Sequence, residues 1–280
     1  MEIQWPLLIF SVLLGVASGT FVFMAIGELT GKFKQVRSLG AIIALACVVV
    51  GGIASVFHLG HPERATHLLG NLSSGLTKEI FVVGIMVIVA AIYAVTTRKN
   101  YPGAAKAFGV IGGIVGLALP FIAGASYMMA ARPTWDSLTL PLMYLGSGLG
   151  LGMLLMAGLV ALKGDKAETS FAVKLALVGV VLAIVTSVAY IAWIAMAPYQ
   201  VPSRSIDRLI SGDLAAAFWV GVVVIGLVAP IVLAALSLKK DGSSAAGTLF
   251  AAFACTAVGA IALRVIMYLL ATSVQSYIYH

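Results

Sequence analysis

The chain has 280 residues, of which 61% are hydrophobic and only 10% charged, with a mean hydropathy of +1.10. A soluble domain carries about a quarter charged residues, so there is too little charge here to coat a globule in water. The net charge of +7 lies in short connections between apolar runs, which points to membrane topology and away from a nucleic-acid surface.

Eight apolar runs reach the length that crosses a bilayer as a helix, roughly 18 residues or more. In chain order they cover about Pro6–Gly27, Arg37–Leu59, Glu79–Thr97, Ala104–Ala131, Leu140–Leu162, Phe171–Ala197, Asp213–Leu238 and Ala245–Val274. The fourth is long enough to require tilt or an interfacial end. The expected fold is all-α and integral to a membrane: an eight-transmembrane-helix bundle forming one domain over residues 1–280. Met1-Glu2-Ile3-Gln4-Trp5-Pro6 lacks a basic segment and leads into a long apolar run, so no cleavable signal peptide is expected. Cys47 and Cys255 fall inside apolar runs, match no metal motif and read as small core residues.

Eight spans put both termini on one side, and lysine and arginine decide which. The connections after spans one, three, five and seven hold Lys32, Lys34, Arg37, Arg98, Lys99, Lys106, Lys163, Lys166, Lys174, Lys239 and Lys240. The opposite connections hold only Arg64, Lys78, Arg132, Arg204 and Arg208. The positive-inside rule then predicts both termini on the extracytoplasmic side. The outer connections, 60–78, 132–139 and 198–212, are the longer ones and carry Trp135, Asp136, Tyr199, Arg204, Asp207 and Arg208. Long polar loops on a rigid scaffold are where function concentrates.

One segment carries the chemistry. Span two closes in Phe57-His58-Leu59-Gly60-His61-Pro62-Glu63-Arg64. Gly60 suits the left-handed position after a helix, and Pro62 disfavours helix at His61. A turn-rich stretch, His67 to Ser74, is expected to hold a short interfacial helix. Span three opens on Thr77-Lys78-Glu79-Ile80, with Thr77 placed to cap it and Glu79 in the first turn. An imidazole and a carboxylate thus bracket one connection at the membrane boundary. That pairing suits oxidation of a quinol, which leaves two protons to be taken up at the membrane edge: His58 titrates near neutrality, and Glu79 can relay.

The same residues also have structural readings. His58 can bond a loop carbonyl, Glu79 can be a plain N-terminal helix acid, and Arg64 can neutralise Glu63 or a lipid phosphate. Trp135 reads as an aromatic-belt anchor, and Glu28 with Lys32 as an i,i+4 surface pair. Arg264, in the middle of span eight, must face the bundle interior and find a partner there; the sequence does not name it. None of the four histidines, His58, His61, His67 and His280, is mid-span, and no Cys-x-x-Cys-His is present. The expectation is no haem and no metal in this chain.

The motif His58-Leu59-Gly60-His61-Pro62-Glu63-Arg64 fits a His-Leu-Gly-x-Pro-x-Arg pattern. With Leu76-Thr77-Lys78-Glu79-Ile80, Pro133-Thr134-Trp135, Arg264 with Tyr268, and the opening Trp5-Pro6-Leu7-Leu8-Ile9-Phe10, it resembles the membrane anchor subunit of bacterial dimethyl sulfoxide reductase and its relatives. The resemblance spans the whole chain. It departs at Ala260, where the family often carries an acid, and at His61, where a small residue is common. It implies a bacterial inner-membrane subunit of a three-part complex active in anaerobic respiration. Such an anchor binds menaquinol without haem and passes two electrons to a four-cluster iron–sulfur subunit, which feeds a molybdopterin catalytic subunit. The resemblance carries the quinol site to His58, Gly60, Arg64 and Glu79; His61, where this chain departs from the family, is a candidate second ring contact. A secondary transporter or proton channel is the alternative from another class, disfavoured by sparse polarity at the midplane.

Overall fold

The computed structural model describes residues 2–57, 74–196 and 200–271, with the side chains of 200–204 left undescribed. Among the described residues eight helices are long and apolar enough to cross a membrane. They are α1 (Trp5–Thr30), α2 (Arg37–Val56), α3 (Gly75–Arg98), α4 (Pro102–Ala125), α5 (Thr139–Lys163), α6 (Lys166–Met196), α8 (Ala217–Ser237) and α9 (Gly242–Leu269). Between α6 and α8 lies α7 (Gln200–Ile210), too short to span.

The outward faces are apolar. Val50, Ile53, Ile88, Ile114, Val178 and Val185 are all more than half exposed. Side chains of this kind on a helix surface face lipid, because every backbone polar group is satisfied within the helix itself. With no hydrophobic force between helices in lipid, close packing of small residues must hold the bundle together. The sequence supplies it along one seam. The two most deeply buried spans are α1 and α5, and they meet through glycines. A Cβ on Gly148 would lie 2.9 Å from the Cα of Gly15, and one on Gly152 would run into the backbone of Gly19 and Thr20. Around this spine α5 also packs against α4, α6 and α9, while α2 and α3 close the other flank of α1 and α4.

The helix ends correct several expectations. The helix of span two is described to Val56, with Phe57 capping it; His58 lies outside the described residues. Span three starts earlier than expected, at Gly75, with Ser74 as its cap and no side-chain cap bond. Thr77 is therefore buried inside the first turn instead of capping it, and Glu79 sits beyond that turn. Span four stops at Ala125 and not near Ala131, because the backbone turns at Ser126–Tyr127. The stretch 198–212, expected as a loop, contains α7, a helix whose Ser205 and Leu209 are buried. The interfacial helix expected over 67–74 lies almost wholly outside the described residues.

The first 12 residues of α8, Ala217–Val228, are wound as a π-helix. The wide winding gives way just before Pro230, which has no N–H to donate and crowds the carbonyl four residues back. Gly226 of this segment lies against the backbone of Gly259 on α9.

Candidate functional site

Glu79 is the sequence-predicted site residue that the structure describes. His58, Gly60, His61 and Arg64 lie outside the described residues. Glu79 projects from the start of α3 into protein, with 7% of its surface exposed. The hydroxyl of Ser126, the cap residue of α4, stands beside its carboxylate and donates its proton to Ala123 O at 2.7 Å. Gly75 permits this approach: a Cβ there would lie 3.3 Å from the Cα of Ser126. Among the described residues no lysine or arginine pairs with Glu79.

Near the carboxylate stands an aromatic cluster from three parts of the chain. Tyr127, Tyr144 and Tyr268 all feel the charge of Glu79. The hydroxyls of Tyr127 and Tyr268 are hydrogen-bonded at 2.8 Å. Trp135 meets Tyr127 and Tyr268 edge-on, at 5.4 and 5.9 Å between ring centres. Tyr127, on the turn after α4, is pushed well above the ordinary phenol value, chiefly by burial and then by the neighbouring tyrosines and Glu79. It keeps its proton and remains a donor.

Trp135 is not the belt anchor that the sequence suggested. It is 2% exposed, and its indole N–H donates to the carbonyl of Met267 at 2.9 Å. This bond belongs to a set. The last carbonyls of a helix have no partner within it, and those at the end of α9 are met by side chains from elsewhere. Thr134 Oγ1 donates to Leu270 O at 3.1 Å, Arg132 to Ala271 O at 3.1 Å, and Arg208 to Leu269 O at 3.0 Å. Two of these donors are cations at the negative end of the helix dipole. Arg132-Pro133-Thr134-Trp135 is thus a cap for α9, and it fixes Tyr268 beside Tyr127.

Arg264 finds the partners that the sequence left unnamed. It is fully buried. Its Nε donates to Ser11 Oγ at 2.8 Å, one terminal nitrogen to Ala260 O at 3.1 Å, and the other to Ser147 Oγ at 3.3 Å. The guanidinium lies 4.5 Å from the centre of the Tyr144 ring, a cation–π contact. Among the described residues no carboxylate reaches it. Arg264 therefore ties α1, α5 and α9 together just inside the tyrosine cluster.

The opposite end of the bundle is built differently. Glu28 was expected to pair with Lys32 but is turned inward. It accepts a hydrogen bond from Tyr93 OH at 2.8 Å and pairs with Arg37 at 3.4 Å, while Lys32 lies over the Phe171 ring at 5.7 Å. Glu168 accepts from Phe33 N at 3.2 Å and from the amide of Gln35.

The sequence missed Ser126, Tyr127 and Tyr144 because each sits in or beside an apolar run and looks like span. The one available signal was the polar pair Ser126-Tyr127 interrupting the fourth run.

Comparison with known proteins agrees with this architecture. The DMSO reductase anchor subunit (DmsC) family matches residues 1–271. A sulfite dehydrogenase subunit of Allochromatium vinosum is 29% identical over 204 residues, which cover 64% of this chain and 62% of that protein. A subunit of the anaerobic dimethyl sulfoxide reductase of Escherichia coli K12 is 29% identical over 167 residues, covering 55% and 58%. The corresponding dimethyl sulfoxide reductase subunit of Haemophilus influenzae is 27% identical over 140 residues, covering 48% and 50%. These alignments span between half and about three-fifths of each relative's length. With the family matched over nearly its whole length, this membrane-spanning protein belongs to the DMSO reductase anchor subunit family.

Proposed function

We propose that the protein anchors a molybdopterin and iron–sulfur oxidoreductase in the bacterial inner membrane and oxidises menaquinol at the Glu79 end of the bundle. The observation that carries this reading is Glu79 itself. It is a buried carboxylate at a span boundary, beside Ser126 and near a cluster of tyrosines. An ionisable side chain kept in such a place is a functional-site hypothesis by default. The connection leading into it carries His58, Gly60, His61 and Arg64.

The residues fit an amphipathic ring with two hydroxyls. A quinol supplies two electrons and two protons on oxidation. His58 accepts one ring hydroxyl proton. Glu79 accepts the second or relays the first towards water. His61 and Arg64 orient the other ring oxygen. The two electrons leave to a four-cluster iron–sulfur subunit, since this chain is expected to hold no haem or metal of its own. On the positive-inside orientation, the Glu79 end and the docked partners lie on the outer face. Quinol oxidation there then separates no charge. The relatives belong to enzymes named for opposite directions, a reductase and a dehydrogenase; the same proton groups serve either direction.

The test is quinol-driven reduction of the iron–sulfur clusters in the purified complex carrying His58→Arg or Glu79→Gln. Both variants should assemble and lose most of the rate. Unchanged rates would remove these residues from the reaction. Solute or proton flux through the protein alone in liposomes would favour the transporter alternative.

A further inference from the structure

A second polar locus lies away from Glu79, where α5, α6, α8 and α9 meet. Hydroxyl side chains in a membrane bundle must find a partner inside the protein, because lipid offers none. Three of them line one cavity here: Ser147 of α5, Ser187 of α6 and Thr256 of α9. Each hydroxyl has one proton to donate and two lone pairs to offer. Ser147 donates to Tyr144 O at 3.1 Å and accepts from Arg264. Thr256 donates to Ala252 O at 2.9 Å. Each therefore keeps a lone pair free. Ser187 is 2% exposed, and its hydroxyl makes no hydrogen bond among the described residues.

The cavity has the size for a ligand of one oxygen. Its volume is about 20 Å³, and roughly 10–15 Å³ by the same measure suffices for one water. Its far wall is the π-wound part of α8, through Val222, Gly226 and Leu227. The wide winding sets this wall, and the Gly226–Gly259 contact keeps α8 and α9 together beside it.

We propose that this cavity is a binding site for an ordered water molecule. The water accepts the Ser187 proton and donates to the free lone pairs of Ser147 and Thr256. Those three bonds are the usual number for a buried water. Through Ser147 the water stands one hydrogen bond from the Arg264 guanidinium. It completes the solvation of a cation that has only neutral partners among the described residues. The inference is independent of the quinol reading, since none of these hydroxyls touches Glu79.

The experiment is a cryo-EM map of the assembled complex in lipid nanodiscs, at a resolution that shows ordered water elsewhere in the protein. The expected result is a compact density peak within hydrogen-bond distance of Ser187 and Thr256. The peak should be lost in the Ser187→Ala/Thr256→Val double variant. A wild-type cavity without a peak, or one filled by elongated acyl density, would overturn the proposal. So would a peak that persists unchanged in the double variant. Should that variant fail to assemble, the wild-type map decides alone.

Discussion

Two carboxylates flank α3 and its neighbours at opposite ends of the bundle, and they are treated differently. Glu28 is paired: Tyr93 donates to it at 2.8 Å, and Arg37 neutralises it at 3.4 Å. Among the described residues Glu79 has no lysine or arginine partner, only the neutral Ser126 hydroxyl and tyrosines nearby. A carboxylate with a matching cation is spent on structure, because the pair satisfies itself. One without a cation keeps the capacity to take up and release a proton, which is what a proton acceptor for a membrane substrate needs. On the proposed reading, the Glu28 end serves structure and the Glu79 end serves chemistry.

The largest effect expected from breaking this contrast is at Glu79. Glu79→Gln keeps the shape but removes the proton acceptor, and loss of a positioned acid–base group costs about 10²-fold or more in rate. The assembled complex should keep its yield and melting temperature while quinol turnover falls. Next comes Glu28→Gln, which leaves Arg37 without its charge partner. Hydrogen bonds to charged groups contribute about 1.5–3 kcal/mol, and Arg37 is partly exposed, so a loss of ~1–2 kcal/mol in stability is expected with turnover unchanged. Thermal unfolding of the purified complex checks it.

A smaller effect sharpens the same contrast. Tyr268→Phe removes the hydroxyl that meets Tyr127 and leaves a buried phenol short of a partner. Stability should drop by ~1 kcal/mol, and turnover should fall less than in Glu79→Gln because no proton acceptor is lost. The smallest concerns Asp213 on the surface near α7. The Arg208 side chain, bonded to it at 2.7 and 2.9 Å, holds its carboxyl below the usual range. Its stabilising contribution is therefore full above the ordinary carboxylate value and fades as pH falls through the lowered one. An exposed pair contributes little, so Asp213→Asn should barely change the melting temperature at neutral pH and should slightly flatten its decline in acid.

Much of this was legible in the sequence, for a physical reason. Crossing a bilayer demands a length and polarity that few residues can hide, so all eight spans were readable. Glu79 stood out because a carboxylate beside a long apolar run is costly. What could not be read depends on contacts between distant segments. Arg264 bonds Ser11 and Ser147, which lie 253 and 117 positions away, and no local pattern announces such partners. Trp135 looked like an interfacial anchor because tryptophan near a span end usually is one; its role as a cap follows from where α9 ends. The Thr77 cap failed because α3 begins two residues before Thr77. Helix α7 could have been found: Ser205 and Leu209, four positions apart, share its buried face. A polar loop composition masked it.

The central claim is that the two carboxylates divide the work, and one measurement tests it most directly. Complexes carrying the wild-type, Glu79→Gln and Glu28→Gln anchors would be mixed rapidly with a reduced menaquinone analogue, and reduction of the iron–sulfur clusters followed in time. The account predicts a rate lower by about 10²-fold or more for Glu79→Gln and a wild-type rate for Glu28→Gln. Wild-type rates in both variants, or an equal loss in both, would contradict it.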